Sequence, residues 1–306
     1  MKGVGIEGIC ACVPARCVAN DANIAQVTGI LQRRIADKGV TGLDLCLKAA
    51  RRVMADTQTR AAEIGAVIGV SFTQHRRMPC NAVQAQAALG LGNDVLAYDV
   101  MLACSGYGYG LHLAGLLARE TGRKVLLLDG DKQSDFLRAD DGATVPLLSD
   151  GGTATLVAPC DGAADWEFAF FSDGAKGEAL KLERDGTIEM DGFGVFRFVA
   201  SDVVARLKDF IHAHGLSGSN GFDHFVPHQA NVYMIRQLAK SAGIDESKLR
   251  VSADTLGNLS SASVPATIAH CRAVGRVLLV GFGGGLSVSI ARVDLPTDCK
   301  LSVIDG

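Results

Sequence analysis

Hydrophobic and polar positions along this chain follow two periods, and the order in which those periods appear is repeated. In "LDLCLKAARRVMAD" (43–56) apolar residues return every three or four positions, the spacing of a helix with one buried face. "GAVIGVSF" (65–72) is a short unbroken apolar run, as in a strand covered on both faces. A helix-like "CNAVQAQAALGL" (80–91), a strand "VLAYDVML" (95–102), a glycine-rich helix beginning at 104 and a strand "KVLLLDGD" (124–131) follow. The second half runs in the same order: helix "SDVVARLKDFIHAHGL", strand "FDHFVPHQ", helix "NVYMIRQLAKSAGI", strand-like "LRVSADT", small-residue helix "SSASVPATIAHCRA" and strand "RVLLVGFGGG". Strands alternating with helices predict an α/β protein whose sheets are covered by helices. The repeat predicts two halves, 1–160 and 161–306.

The registers of the halves agree. Cys104 lies 30 residues after Gln74, at the end of the first half's strand, and Asn258 lies 30 after His228 (104 − 74; 258 − 228). The distinctive residues therefore occupy equivalent slots, and a pseudo-twofold axis would bring strand ends and helix starts together at the centre. The two glycine- and serine-rich helices are expected to pack on each other there, since glycine inside a helix costs roughly 0.5–1 kcal/mol against alanine and needs a close neighbour to justify it.

Composition narrows the classes. The chain has 306 residues, 48% of them hydrophobic and 21% charged, enough to bury a large core. A formal charge of -3 gives no general attraction for nucleic acid. No run is long and apolar enough for a membrane span, and the N-terminus does not read as a signal peptide, which places the chain in the cytoplasm. Nine cysteines, an odd number, then read as reduced thiols. Cys10, Cys12 and Cys17 find no second cluster at zinc-ligand spacing, so no metal is expected. His212 and His214 fall at a solvated helix end.

Three residues carry candidate chemistry. Cys104 stands where a strand hands over to a helix, so it is either a buried structural thiol or a nucleophile whose thiolate the helix N-terminus stabilises. His228 in "FVPHQAN" can reach inward from a strand end, and Asn258 in "TLGNLSSASVP" sits at a turn into a helix, where each alone reads as a satisfied core residue or a cap. In duplicated strand-end slots, together, they suggest acyl-thioester chemistry: a thiolate to take the acyl group, an imidazole and a carboxamide to hold an oxyanion.

"ACSGYGYGL", "VPHQAN", "GNLSSASVP" and "GFGGGLSVSIARV", in that order, resemble the nucleophile, histidine, asparagine and terminal glycine-rich motifs of the β-ketoacyl-acyl carrier protein synthase III branch of the thiolase-fold condensing enzymes. "DDGATVPLLSDGGTATLVA" and "MDGFGVFRFV" resemble that family's central segments. The resemblance implies a five-layered α/β/α/β/α fold of two duplicated halves, with no cofactor. It implies that Cys104 accepts an acyl group from an acyl thioester, carried by coenzyme A or acyl carrier protein. It implies that His228 and Asn258 bind the carbonyl of malonyl-acyl carrier protein, and that the resulting carbanion attacks acyl-Cys104 after decarboxylation. The oxyanion hole would be the backbone N–H groups of Cys104 and Gly285. Phe282 would disfavour the extender's carboxylate, and Met78 would line the primer pocket of a neighbouring subunit in a homodimer joined along "VLAYDVML". Some relatives instead move the acyl group to a hydroxyl or amine, and that acyltransferase reading stays open.

Departures from the family pattern lie at the tunnel mouth. Asn23 and Val27 stand where a tryptophan and an arginine usually help to clamp coenzyme A, and Tyr233 replaces a frequent arginine. The usual coenzyme A contacts are thus reduced. Arg33, Arg34, Arg76 and Arg77 remain to meet an acidic carrier protein or to sit as solvated surface charges.

Overall fold

A computed structural model describes residues 3–162, 166–183, 186–217 and 221–306. Two sheets carry the fold. The first contains β1 (Gly3–Val13), β2 (Ile64–Val70), β3 (Leu96–Val100), β4 (Lys124–Asp131) and β5 (Gly151–Cys160), in the order β1-β5-β4-β2-β3. β2, β3 and β4 are parallel, and β5 is antiparallel to β1 and β4. The second sheet contains β6 (Glu167–Ser172), β7 (His224–Pro227), β8 (Gly275–Gly283) and β9 (Ser287–Leu295), in the order β7-β8-β9-β6, with only β7 and β8 parallel. Directions along β1-β5-β4-β2 repeat along β6-β9-β8-β7, so the duplication read from the sequence is a duplication of topology. The last strand, β10 (Lys300–Asp305), crosses back and pairs parallel with β1, so the end of the chain packs with the first half.

Alternation along the strands sets the layers. The helices that cover the sheets are α1 (Gly42–Asp56), α2 (Asn81–Ala88), α3 (Gly106–Thr121), α4 (Val204–Ala213), α5 (Val232–Ala242) and α6 (Ser263–Cys271). Leu126 and Leu128 of β4 point into a core shared with α1 and α2, whereas Leu127 points the opposite way, toward Tyr107 and Leu111 of α3. In β8, Val277 and Leu279 face that same central core with α6, and Leu278 and Val280 face α4 and α5. The order is therefore α1/α2, first sheet, α3/α6, second sheet, α4/α5. Leu127 is fully buried, and its truncation to alanine would cost about 2–5 kcal/mol.

Three local expectations change. The small residues of α3 serve mainly the strands: a Cβ on Gly106 would stand 2.5 Å from Val70 Cγ1, one on Gly110 2.6 Å from Leu127 Cδ1, and one on Gly108 2.6 Å from Ser289 Cβ. The second small-residue segment meets α3 through its opening turn, 260–262. "LRVSADT" pairs at a single bridge, Phe225 to Leu249, because the Gln229 side chain then accepts from the Ser252 and Ala253 N–H groups and draws the backbone away. The helix expected from 201 starts at Gly192, capped by Asp191, and runs into α4 through a wide turn at 199–203.

Candidate active site

Cys104 lies in the turn that opens α3, and the next residue, Ser105, is the helix N-cap. It is only 8% exposed. Burial pushes its thiol up to about 12, opposed in part by a hydrogen bond to the Ser260 hydroxyl and reinforced by the buried carboxylates of Asp131 and Asp129. The expected ready-made thiolate is therefore absent from the resting site: desolvation outweighs the helix terminus. The S–H donates to Ser260 Oγ at 3.9 Å.

Strand β8 passes directly over Cys104. A Cβ on Gly281 would lie 2.9 Å from Cys104 O, and one on Gly283 would lie 2.7 Å from Cys104 Cβ and 3.2 Å from Sγ. No residue larger than glycine fits at 283 without moving the cysteine. Gly284 stands against Ala103, while Gly285 turns toward Ser287. Gly285, singled out in the sequence, lines the same cavity, but the glycine that meets Cys104 is Gly283.

Asn258 reaches the site through an over-determined turn. Gly257 before it has φ +69° and packs on Ser149 so closely that a Cβ would collide with Oγ. The Asn258 backbone is held on both sides: its N–H donates to Leu147 O, and its carbonyl accepts from Ser149 N–H and from Gln133 Nε2 at 2.8 Å. Its Oδ1 accepts from Ser260 N–H at 2.9 Å, which fixes the amide orientation and leaves Nδ2 free to donate.

His228 is 2% exposed, and burial holds its imidazole down at about 4, so it is neutral at physiological pH. Nδ1 lies 3.0 Å from Ser260 O and 2.9 Å from Ser263 Oγ. A carbonyl only accepts, so we assign the resting proton to Nδ1 and the lone pair to Nε2. The Ser263 hydroxyl can instead donate to Nδ1, which would let Nε2 carry the proton. Phe282 sets its ring edge-on to His228 at 5.2 Å between centroids.

Cys104, His228, Asn258, Phe282 and Gly283–Gly285 converge on one cavity of about 640 Å³. Much of its wall is aliphatic, including Leu102, Leu147, Leu180, Leu182, Ile188 and Met234. Lys181, the one Lys or Arg among its described lining residues, is held by Glu178 at 2.9 Å. Met78 lies outside this cavity and is 84% exposed. Val27 and Tyr233 are also exposed. Of the four arginines, Arg76 and Arg77 are exposed, whereas Arg33 bonds Asn20 and Arg34 bonds the Pro14 carbonyl. None of the nine cysteines, all of them among the described residues, forms a disulfide. Among the described residues no helix is long and apolar enough to cross a membrane.

Sequence reasoning missed Ser260 and Ser263, which orient the candidate side chains, and Gln133, which holds the Asn258 backbone. The first two stood inside "GNLSSASVP" but read as small helix residues.

Two family models match this chain: 3-oxoacyl-[acyl-carrier-protein (ACP)] synthase III over residues 98–181, and its C-terminal region over 212–295. The β-ketoacyl-[acyl-carrier-protein] synthase III of Streptomyces glaucescens is 31% identical, covering 91% of this chain and 89% of its own. The chain belongs to the synthase III family. The Clostridioides difficile (strain 630) synthase III is also 31% identical, over 88% of both chains. The 3-oxoacyl-(acyl-carrier protein) synthase of Burkholderia xenovorans LB400 superimposes with a TM-score of 0.94 at 29% identity, over 100% of this chain and 97% of that one. The priming β-ketosynthase of the R1128 polyketide pathway gives 0.89 at 27% identity, over 96% and 97%. The thiolase-like fold and the condensing-enzyme class follow from this membership.

Proposed function

We propose that this synthase III joins an acyl primer to a malonyl thioester with loss of carbon dioxide, using Cys104, His228 and Asn258. The supporting observation is the convergence of these three side chains on one largely apolar cavity, each bonded to Ser260. Cys104 takes the acyl group from coenzyme A or acyl carrier protein. The Cys104 N–H and an amide of the Gly283–Gly285 turn hold the carbonyl oxygen as the primer's C–S bond breaks. Asn258 Nδ2 then donates to the carbonyl of malonyl-acyl carrier protein. His228 joins it once its proton has moved from Nδ1 to Nε2, with Ser263 donating to the vacated Nδ1. The apolar edge of Phe282 disfavours the malonate carboxylate, carbon dioxide leaves, and the carbanion attacks the carbonyl carbon of acyl-Cys104, breaking its C–S bond and releasing the Cys104 thiolate, which takes up a proton as the β-ketoacyl product departs.

The division of labour follows the halves, 1–160 supplying the nucleophile and 161–306 the histidine and asparagine. A homodimer joined along β3 suits its position at the sheet edge, where Leu96 and Met101 are exposed, and would carry Met78 to the partner's primer pocket. A soluble cytoplasmic enzyme fits these partners. Intact-mass spectrometry after exposure to acyl thioesters should find one acyl group on Cys104, and malonyl-acyl carrier protein should then release carbon dioxide. Acylation without carbon dioxide release from any malonyl donor would favour transfer to a hydroxyl or amine instead.

A further inference from the structure

Two carboxylates stand behind the nucleophile with no role in the chemistry above. Asp129 and Asp131 close β4, at 0% and 1% exposure. Both oxygens of Asp129 accept from Ser261 Oγ, at 2.6 and 2.7 Å, which ties the strand end to the 260–262 turn. Asp131 is lopsided. Its Oδ1 accepts four bonds, from Ser71 Oγ, the Phe72 N–H, and the N–H and hydroxyl of Thr73, at 2.8 to 3.2 Å. Its Oδ2 is buried and has no hydrogen-bond partner. A buried oxygen left open beside a fully bonded twin calls for an explanation.

Ser260 stands between that carboxylate and the thiol. Its hydroxyl accepts the Cys104 S–H and is also close enough to act on the Asp131 carboxylate, although Oδ2 has no hydrogen bond in the resting structure. Its backbone is in the left-handed region, at φ +56°, unusual for a serine. In that conformation the N–H serves Asn258, the carbonyl serves His228 and the hydroxyl is left for the cysteine. His228, by contrast, has its resting Nδ1 engaged in the wall.

We infer that Ser260 is a further catalytic residue, passing the Cys104 proton to Asp131, and this inference rests on Cys104 being the acyl carrier. As the thiol attacks the primer's carbonyl carbon, its proton moves to Ser260 Oγ while the Ser260 hydroxyl proton moves to Asp131 Oδ2. The new C–S bond forms, the primer's C–S bond breaks, and the departing thiolate recovers the proton by the reverse path. No co-reactant is needed. Burial raises the Asp131 carboxyl above its ordinary range, which makes it a stronger proton acceptor than a surface aspartate. The titratable groups facing this path are Asp129 from β4, Cys46 from α1 and His228 from the end of β7.

The test is iodoacetamide labelling of Cys104 across about pH 6 to 10, read on its peptide by mass spectrometry. Ser260→Ala keeps the backbone groups that hold Asn258 and His228 and removes only the hydroxyl. Asp131→Asn keeps an acceptor for Ser71 and Thr73 and removes the proton acceptor. Ser260→Ala should slow labelling about tenfold near neutral pH, equivalent to one pH unit of displacement, and stay below the wild type up to about pH 10, because a thiol held up at about 12 does not ionise unaided in that range. Asp131→Asn should slow it less, because removing the carboxylate also relieves the charge that raises the thiol. Ser260→Ala decides the matter if Asp131→Asn fails to fold. Profiles that superimpose on the wild type overturn the relay, as does slowing confined to His228→Gln, which would make the histidine the base. Acyl loading of the wild type is measured in parallel. Its absence would defeat the reading of Cys104 as acyl carrier, whereas normal loading with unchanged profiles would defeat the relay alone.

Discussion

The neutral, buried imidazole of His228 should make this protein acid-labile in a way that one substitution removes. Its folded value of about 4 lies below the ordinary 6.5 because burial disfavours the charged form. Above pH 6.5 both folded and unfolded chains hold a neutral ring, and the group contributes nothing to pH dependence. Between 6.5 and about 4 the unfolded chain takes up a proton that the folded site refuses, so stability falls as pH falls through that window. Below about 4 the loss is complete. The full gap corresponds to about 3 kcal/mol, and most of it, about 2 to 3 kcal/mol, is already lost at pH 4.5. His228 is buried, so solvent does not discount this figure. Urea unfolding of wild type and His228→Gln at pH 7.5 and 4.5, at one protein concentration, gives the double difference. Asp129 and Asp131, whose raised values have the opposite pH dependence, are common to both proteins and cancel. Wild type should lose about 2 to 3 kcal/mol more than the variant. Equal losses would mean that the folded site accepts the proton, and the neutral-imidazole reading would fall with them.

Further outcomes follow from the same geometry. Asn258→Ala should still load an acyl group on Cys104 but decarboxylate and condense about 100- to 1,000-fold more slowly, as single-turnover measurements of each half-reaction would record. Gly108→Ala forces a methyl group into Ser289 and should destabilise the protein by about 1–3 kcal/mol in chemical denaturation, with the hydroxyl contact from Ser289 to Ser105 O disturbed. Met101→Lys, placed at the exposed end of the β3 edge, should convert a dimer to a monomer in sedimentation at micromolar concentration; a dimer that survives it does not use that edge.

The sheets were legible because their strands are apolar on both faces: "VIGV" and "LLL" admit few alternatives, and the duplicated spacing placed Cys104, His228 and Asn258 in equivalent slots. What could not be read was contact made through backbone. Ser260 is one of several small residues in its motif, and only the left-handed turn reveals that its N–H, carbonyl and hydroxyl each serve a different neighbour. The lost strand in "LRVSADT" depends on the reach of Gln229 from the end of the edge strand β7, which local propensity does not encode. The charge state of Cys104 was misread for a related reason: its position at a helix start is local, but its desolvation is set by β8 and the 260–262 turn, distant in sequence.

The return of β10 to the first sheet affects how the molecule is made as well as how it looks. β1 emerges from the ribosome long before residues 300–305, the neighbour that covers its outer edge, with Gly306 N–H bonding Val13 O at the corner. Throughout synthesis an apolar strand edge waits for its last partner, a long-range pairing of the kind that folds slowly and invites association between nascent chains. A protein without residues 300–306 would keep every side chain of the candidate site described above, but β1 would be left as an open template for intermolecular pairing.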